Sequence, residues 1–125
     1  MKTKITILVL EVSDTPRING ITPLKILIDK DRKPISSYIS TKSEKDTISE
    51  ILSKYSNLDI RYCYPALSDF FHEPGSPECE VVYVVKVTEH FVYPSPDAIL
   101  ENLENINIED KYVRSIQSTP RSTSQ

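Results

Sequence analysis

The strongest constraint on the fold is a segment at residues 41–55 whose apolar side chains repeat with the period of an α-helix. Four positions fall at i, i+3, i+4 and i+7: Ile48, Ile51, Leu52 and Tyr55. This spacing predicts a helix with a single apolar stripe, which needs an apolar surface to pack against. Thr41 with Glu44 fits a capping box at the start of the helix, and Ser43 with Asp46 fits an alternative register.

Apolar, β-branched runs on both sides of this helix predict strands. The strongest covers residues 79–88, where valines are nearly continuous, as expected for a strand buried on both faces. Weaker runs predict further strands at residues 4–12, 24–28, 58–64 and 66–71, with a short extended piece at Tyr38 and Ile39. Asn19 and Gly20 form a pair that favours a tight turn between the first two strands.

The C-terminal third predicts two more helices. Ser95, Pro96 and Asp97 match the start of a helix, with serine as N-cap and proline in the first helical position. Its apolar stripe would consist of Ile99, Leu100 and Leu103. A last helix is predicted at residues 109–116, and the polar tail 118–125 is predicted to be disordered.

Length and charge limit the class of protein. The 125 residues suffice for one domain, which we place at residues 1–117. The formal net charge is −3 and no basic stripe is present, so we expect no polynucleotide partner. No apolar run is long enough to cross a membrane, and we expect a cytoplasmic protein. Cys63 and Cys79 have no metal-ligand spacing, so we expect free thiols at both positions.

Two segments resemble the Nudix hydrolase superfamily, whose helical motif is G-x5-E-x7-R-E-U-x-E-E-x-G-U. Residues 48–54 align with its R-E-U-x-E-E part, and residues 63–87 look like the strands and loop that follow the helix in relatives acting on ADP-ribose-type substrates. The order of the predicted elements is also similar. The resemblance implies an α/β (α+β) fold, a Nudix-like α/β/α sandwich with a mixed, mostly antiparallel sheet.

The metal-binding positions of that motif are largely lost. Glu50 matches one motif glutamate, but Ser49 replaces the arginine, and Ser53 and Lys54 replace the other two glutamates. Mg²⁺ requires oxygen ligands and usually carboxylates, and the ammonium of Lys54 would repel it. We therefore expect no bound metal, no cofactor and no catalytic residues, with Mg²⁺ and Glu50 relevant only to an active hydrolase.

The resemblance also implies where a ligand would bind. In the family, the strand and loop after the helix flank the substrate pocket, and here they offer aromatic faces beside polar groups. The candidate ligand-binding residues are Tyr38, Glu50, Asp69, Phe71, His72 and Glu73.

Three functions remain open from the sequence. The first is a non-catalytic Nudix-like module that binds a nucleotide-type ligand or a protein partner. The second is a divergent hydrolase cleaving a nucleoside-diphosphate-linked substrate with Glu50 and loop carboxylates such as Asp69, Glu73 or Glu80. The third is a small interaction factor directed at a host or partner protein. A homodimer is compatible with all three.

Overall fold

A computed structural model of the chain describes residues 1–13 and 23–118. For residues 23, 24 and 118 it describes the backbone only. The strands are β1 (Lys2–Val12), β2 (Pro23–Asp29), β3 (Ile35–Tyr38), β4 (Ala66–Phe71), β5 (Glu78–Thr88) and β6 (Ala98–Asn102). The helices are α1 (Glu44–Tyr55) and α2 (Asp110–Ser118), and a short 3₁₀ turn lies at Leu103–Asn105.

The strands form a single mixed sheet. Its order is β4-β5-β1-β2-β6, and β3 also pairs with β1. Among the described strands only β1 and β5 run parallel, and they match residue for residue from Lys2 opposite Glu78 to Val12 opposite Thr88. The other pairs, including β3 on β1 and β4 on β5, are antiparallel. The predicted mixed, mostly antiparallel sheet is therefore confirmed.

The two faces of the sheet carry separate apolar clusters because side chains alternate along each strand. On one face, Ile5, Ile7 and Val9 of β1 pack with the apolar stripe of α1. On the other, Leu8 and Leu10 pack with Tyr112 of α2. One helix thus covers each face, and the predicted α/β/α sandwich is confirmed.

The start of α1 follows the alternative capping register. Ser43 is the N-cap, and its Oγ accepts a hydrogen bond of 3.1 Å from the backbone N–H of Asp46. The register with Thr41 as the cap is wrong. A serine at this position satisfies one of the otherwise unpaired N–H groups of the first turn.

The strand predicted at residues 58–64 is wrong, because local hydrogen bonds hold this segment in turns. The carboxylate of Asp59 accepts from the backbone N–H of Arg61 at 2.9 Å, and its carbonyl accepts from Tyr62 at 2.9 Å. Aspartate side chains that bond to nearby N–H groups compete with strand pairing. The segment therefore returns the chain from α1 to β4 without joining the sheet.

The helix predicted after Ser95 is also wrong, because residues 98–102 form β6 at the edge of the sheet. Ser95 Oγ does accept from the backbone N–H of Asp97 at 3.2 Å, but it also donates to the carbonyl of Lys54 at 2.7 Å. Antiparallel pairing with β2 then continues from Ala98 to Asn102. Long-range pairing outweighs the local helix signal.

The remaining predictions are met in part. The last predicted helix is α2, which extends to Ser118. The Asn19–Gly20 turn and the tail beyond Ser118 lie outside the described residues. Cys63 is half-buried, Cys79 is buried, and both are free thiols. In the described part of the chain, no helix has the length and apolar character needed to cross a membrane.

Candidate functional site

A row of four side chains crosses the sheet on its α2 face. Tyr38 of β3 lies opposite Lys4 of β1, Lys4 lies opposite Glu80 of β5, and Glu80 lies opposite Phe71 of β4. Directly opposed residues point to the same side of a sheet, with Cβ atoms about 5 Å apart. The row therefore places an aromatic ring, a cation, an anion and a second aromatic ring side by side.

Three members of this row, Lys4, Glu80 and Phe71, line an open cleft of about 470 Å³, and Tyr38 stands at its rim beside Glu78. The cleft lies where β1, β4, β5 and α2 meet the loop between β4 and β5. Its lining residues are Lys4, Phe71, His72, Glu73, Ser76, Glu78, Cys79, Glu80 and Lys111.

Glu80 contributes a buried carboxylate to the cleft. Its side chain is buried, with 6% of the residue exposed, and it accepts three contacts. Thr6 Oγ1 and Tyr112 Oη each donate to Glu80 Oε2 at 2.5 Å, and Lys111 Nζ lies 2.7 Å from Oε1. These bonds connect β1, β5 and α2, so the carboxylate fixes the position of α2 on the sheet.

Glu80 and its three partners Thr6, Tyr112 and Lys111 form a cluster, the Glu80 cluster, whose contacts also govern the ionisation of its members. Burial opposes ionisation of Glu80, but hydrogen bonds from Lys111, Thr6 and Tyr112 outweigh it and hold the pKa of the carboxyl below its ordinary value. Burial and the nearby carboxylate of Glu80 raise the pKa of the Tyr112 hydroxyl. For Lys111, burial lowers the pKa, and the bond to Glu80 reverses this and raises it. Glu80 and Lys111 are therefore charged at neutral pH.

The rim of the cleft is more exposed. Tyr38 Oη donates to the carboxylate of Glu78 at 3.3 Å, and the ammonium of Lys2 lies 5.1 Å from the Tyr38 ring centroid. The Glu78 charge and burial together raise the pKa of the Tyr38 hydroxyl. His72 Nε2 lies 3.2 Å from the carbonyl oxygen of Ser76, which holds the imidazole against its own loop.

Asp69 lies on the same face as the cleft but does not line it. Its Oδ2 is 2.7 Å from Arg114 of α2, and its Oδ1 accepts from the backbone N–H of Phe70. The hydrogen bond from Arg114 contributes most to lowering the pKa of this carboxyl. Asp69 therefore acts as a second tie between β4 and α2.

Glu50 lies on α1, on the opposite side of the sheet from the cleft. Its carboxylate forms an ion pair with Lys42 in the segment before the helix. Ser53 and Lys54, at i+3 and i+4, share its face of the helix and add no carboxylate. Within residues 1–13 and 23–118, no group of three or more His, Cys, Asp or Glu side chains is arranged to hold a metal ion.

The structure thus separates the six predicted ligand-binding residues into three places. Phe71, His72 and Glu73 line the cleft and Tyr38 stands at its rim, Asp69 is tied to α2, and Glu50 is on the other face. Sequence reasoning missed Lys4 and Lys111 as lining residues. The position of Lys4 directly before the apolar run of β1 is the available signal for this residue, and nothing local marks Lys111.

Comparison with known proteins identifies the fold. No protein-family profile and no curated protein sequence matches the chain. Solved structures do match, at low sequence identity. The Nudix domain of Shewanella oneidensis NrtR, complexed with ADP-ribose, matches with a TM-score of 0.60 and 9% identity, over 92% of this chain and 83% of that one.

Two further structures extend the likeness. The C-terminal domain of mouse MUTYH, in complex with human PCNA, has a TM-score of 0.62 and 12% identity over 94% of this chain and 88% of its own. A MutT/Nudix family protein from Listeria innocua has a TM-score of 0.59 and 10% identity over 92% and 88%. The chain therefore has a Nudix-like fold, as the sequence resemblance predicts.

Proposed function

We propose that this chain is a non-catalytic Nudix-like module that binds a nucleotide-type ligand in the cleft on the α2 face. One observation carries the proposal. The helix that would gather metal carboxylates has Glu50 as its only motif glutamate, paired with Lys42, whereas Phe71, His72 and Glu73 meet in a preformed cleft on the other face. The cleft is concave and sets the apolar side chains of Phe71 and Cys79 beside charged and polar groups that can orient a small molecule.

The chemistry of the cleft suits the parts of a nucleotide. The ring of Tyr38 is 43% exposed, and the face that does not carry the ammonium of Lys2 offers a surface on which a base can stack. Lys4 can contact a phosphate, and the carboxylate of Glu73 can accept hydrogen bonds from ribose hydroxyls. The neighbour bound to ADP-ribose supports a ligand of this class on this fold.

The arrangement argues against the hydrolase alternative. Of the loop carboxylates that could assist Glu50, Asp69 is paired with Arg114 and Glu80 is buried against Lys111. Both face α2, so the sheet separates them from Glu50 on α1. Metal-assisted phosphoryl chemistry requires its carboxylates around a shared ion, so this separation favours a binding role over a hydrolytic one.

Isothermal titration with the mono-, di- and triphosphates of the four common nucleosides in metal-free buffer tests the proposal. We expect at least one to bind, and Tyr38→Ala to weaken that binding by about 1–3 kcal/mol through loss of stacking. Tyr93→Ala is the matched control, because Tyr93 is also exposed (60%) but does not line the cleft. Absence of binding across the panel, or equal effects of the two substitutions, would contradict the proposal.

A protein partner is a second candidate, favoured by the free edge of β4. Among the described residues, this edge strand pairs only with β5. Leu67 and Phe70 are 67% and 58% exposed on its α1 side, away from the cleft. An exposed apolar edge strand can accept an extended segment of another protein. The neighbour in complex with PCNA agrees with a protein-binding role on this fold. Failure of every nucleotide titration would leave this candidate in place.

A further inference from the structure

We infer that a second copy of this chain pairs with the free edge of β4, so that the sheets of two copies join edge to edge. The inference names the partner for the second candidate function, and it does not depend on nucleotide binding in the cleft. It follows from the contrast between the two ends of the sheet and from a pattern within β4 that is complementary to itself.

The two ends of the strand order, β4 and β6, are protected to different degrees. At the β6 end, the carboxylate of Glu101 lies 3.5 Å from the guanidinium of Arg32. Charged side chains of this kind discourage a further strand from joining an edge. β4 carries a single charged side chain, Asp69, and Arg114 of α2 is already paired with it at 2.7 Å. The β4 edge is therefore the end of the sheet that favours pairing with another strand.

A bulge in β4 places its two exposed apolar side chains on the same face. The register with β5 shifts between Leu67 and Asp69. Leu67 and Phe70 are three residues apart, and a regular strand would place them on opposite faces. Because of the shift, both lie on the α1 side of the sheet. Together they form an exposed apolar surface along the free edge, which a second strand can cover.

The sequence of β4 matches itself when two copies run antiparallel about a two-fold axis at the middle of the strand. Leu67 then lies opposite Phe70 of the second copy, and Ala66 lies opposite Phe71 of the second copy. Directly opposed side chains must point to the same side of a sheet. The first pair belongs to the α1 side and the second to the α2 side, so every large apolar side chain meets an apolar partner on its own face.

The charges of β4 agree with this register. The carboxylate of Asp69 lies opposite Ser68 of the second copy, whose hydroxyl can donate a hydrogen bond. An axis through Asp69 itself would instead bring two carboxylates together, and like charges directly opposite each other destabilise a sheet. Since β4 has only six residues, we expect an interface below the roughly 1,200 Å² of a standard complex, and a dimer that depends on concentration.

Sedimentation velocity of the full chain from about 1 μM to 1 mM, the range of weak association, tests the inference. We expect a monomer–dimer equilibrium. Phe70→Lys places a charge in the pairing edge and should weaken dimerisation at least about tenfold. Ile99→Lys is the matched control, because Ile99 is also exposed (45%) on an edge strand, and it should alter dimerisation by less than about twofold. Circular dichroism establishes that each variant is folded.

Two substitutions at Ser68, an exposed position, test the register itself. Ser68→Asp places a carboxylate opposite Asp69 of the second copy at two symmetric positions and should weaken dimerisation at least about tenfold. Ser68→Lys places an ammonium there and should preserve or strengthen the dimer.

Three results would overturn the inference: a chain that stays monomeric throughout the concentration range, equal dimerisation of Phe70→Lys and Ile99→Lys, or equal weakening by both Ser68 substitutions. None of them bears on the nucleotide titrations, so binding in the cleft is tested separately.

Discussion

Glu80→Ala is expected to lower the free energy of unfolding by about 2–3 kcal/mol. The carboxylate is buried and accepts from Thr6, Tyr112 and Lys111, so its removal leaves two buried hydroxyls without their acceptor. It also loosens α2, which this cluster ties to the sheet. Urea denaturation at neutral pH, followed by circular dichroism, measures the loss.

Glu78→Ala is the matched control, because Glu78 is an exposed glutamate two residues earlier on the same face of β5. Surface changes of this kind shift the free energy of unfolding by no more than about 0.5 kcal/mol. Equal urea midpoints for Glu80→Ala and Glu78→Ala would show that the Glu80 cluster does not hold α2 on the sheet.

The same cluster gives a pH dependence with a definite sign. The pKa of Glu80 is lower in the folded chain than its ordinary value of 4.5, so the folded state binds fewer protons there than the unfolded chain. Its contribution is therefore present above that ordinary value and is lost as the pH falls through the lower, folded pKa. The stability difference between the original chain and Glu80→Ala should accordingly shrink in acid. A difference that stays constant down to acid pH would contradict this origin.

Leu52→Ala is expected to cost about 2–5 kcal/mol of stability, the usual range for truncating a fully buried leucine. Leu52 is 0% exposed and belongs to the cluster between α1 and the sheet. Glu50→Ala, two residues earlier on the outer face, should change stability by no more than about 0.5 kcal/mol, because its ion pair with Lys42 is exposed. Urea denaturation of both variants checks the contrast.

The nucleotide affinity of Glu50→Ala also tests whether the outer face of α1 takes part in binding. If α1 serves only as scaffold, Glu50→Ala should keep the nucleotide affinity of the original chain. A loss of binding in this variant, or a stability cost comparable to that of Leu52→Ala, would show that the outer face of the helix has a role the cleft does not explain.

The fold was predictable where its signals are local. The apolar stripe of α1 and the valine run of β5 each lie within one short segment of the sequence. Both elements form where predicted. The signal at Ser95 is ambiguous, because the same serine that can cap a helix can also cap a turn. Whether residues 98–102 form a helix or a strand depends on the pairing of β6 with β2, which lies some 70 residues earlier in the chain. No local pattern contains that information.

The candidate site shows the same division. Phe71, His72 and Glu73 are adjacent in sequence, so the sequence predicts them together, and they line one cleft. Lys4 and Lys111 come from opposite ends of the chain and reach the cleft only through the β1–β5 register and the docking of α2. The resemblance alone groups Glu50 with the loop, and it cannot show that this chain places the loop residues on the other face of the sheet.

The most direct test of the central claim is to incubate the chain with each nucleotide of the panel and with ADP-ribose, with and without Mg²⁺, and to measure binding calorimetrically and products by chromatography. The proposed module should bind its ligand equally well without Mg²⁺ and return it unchanged. Mg²⁺-dependent product that disappears in Glu50→Gln would show instead that the chain is a hydrolase.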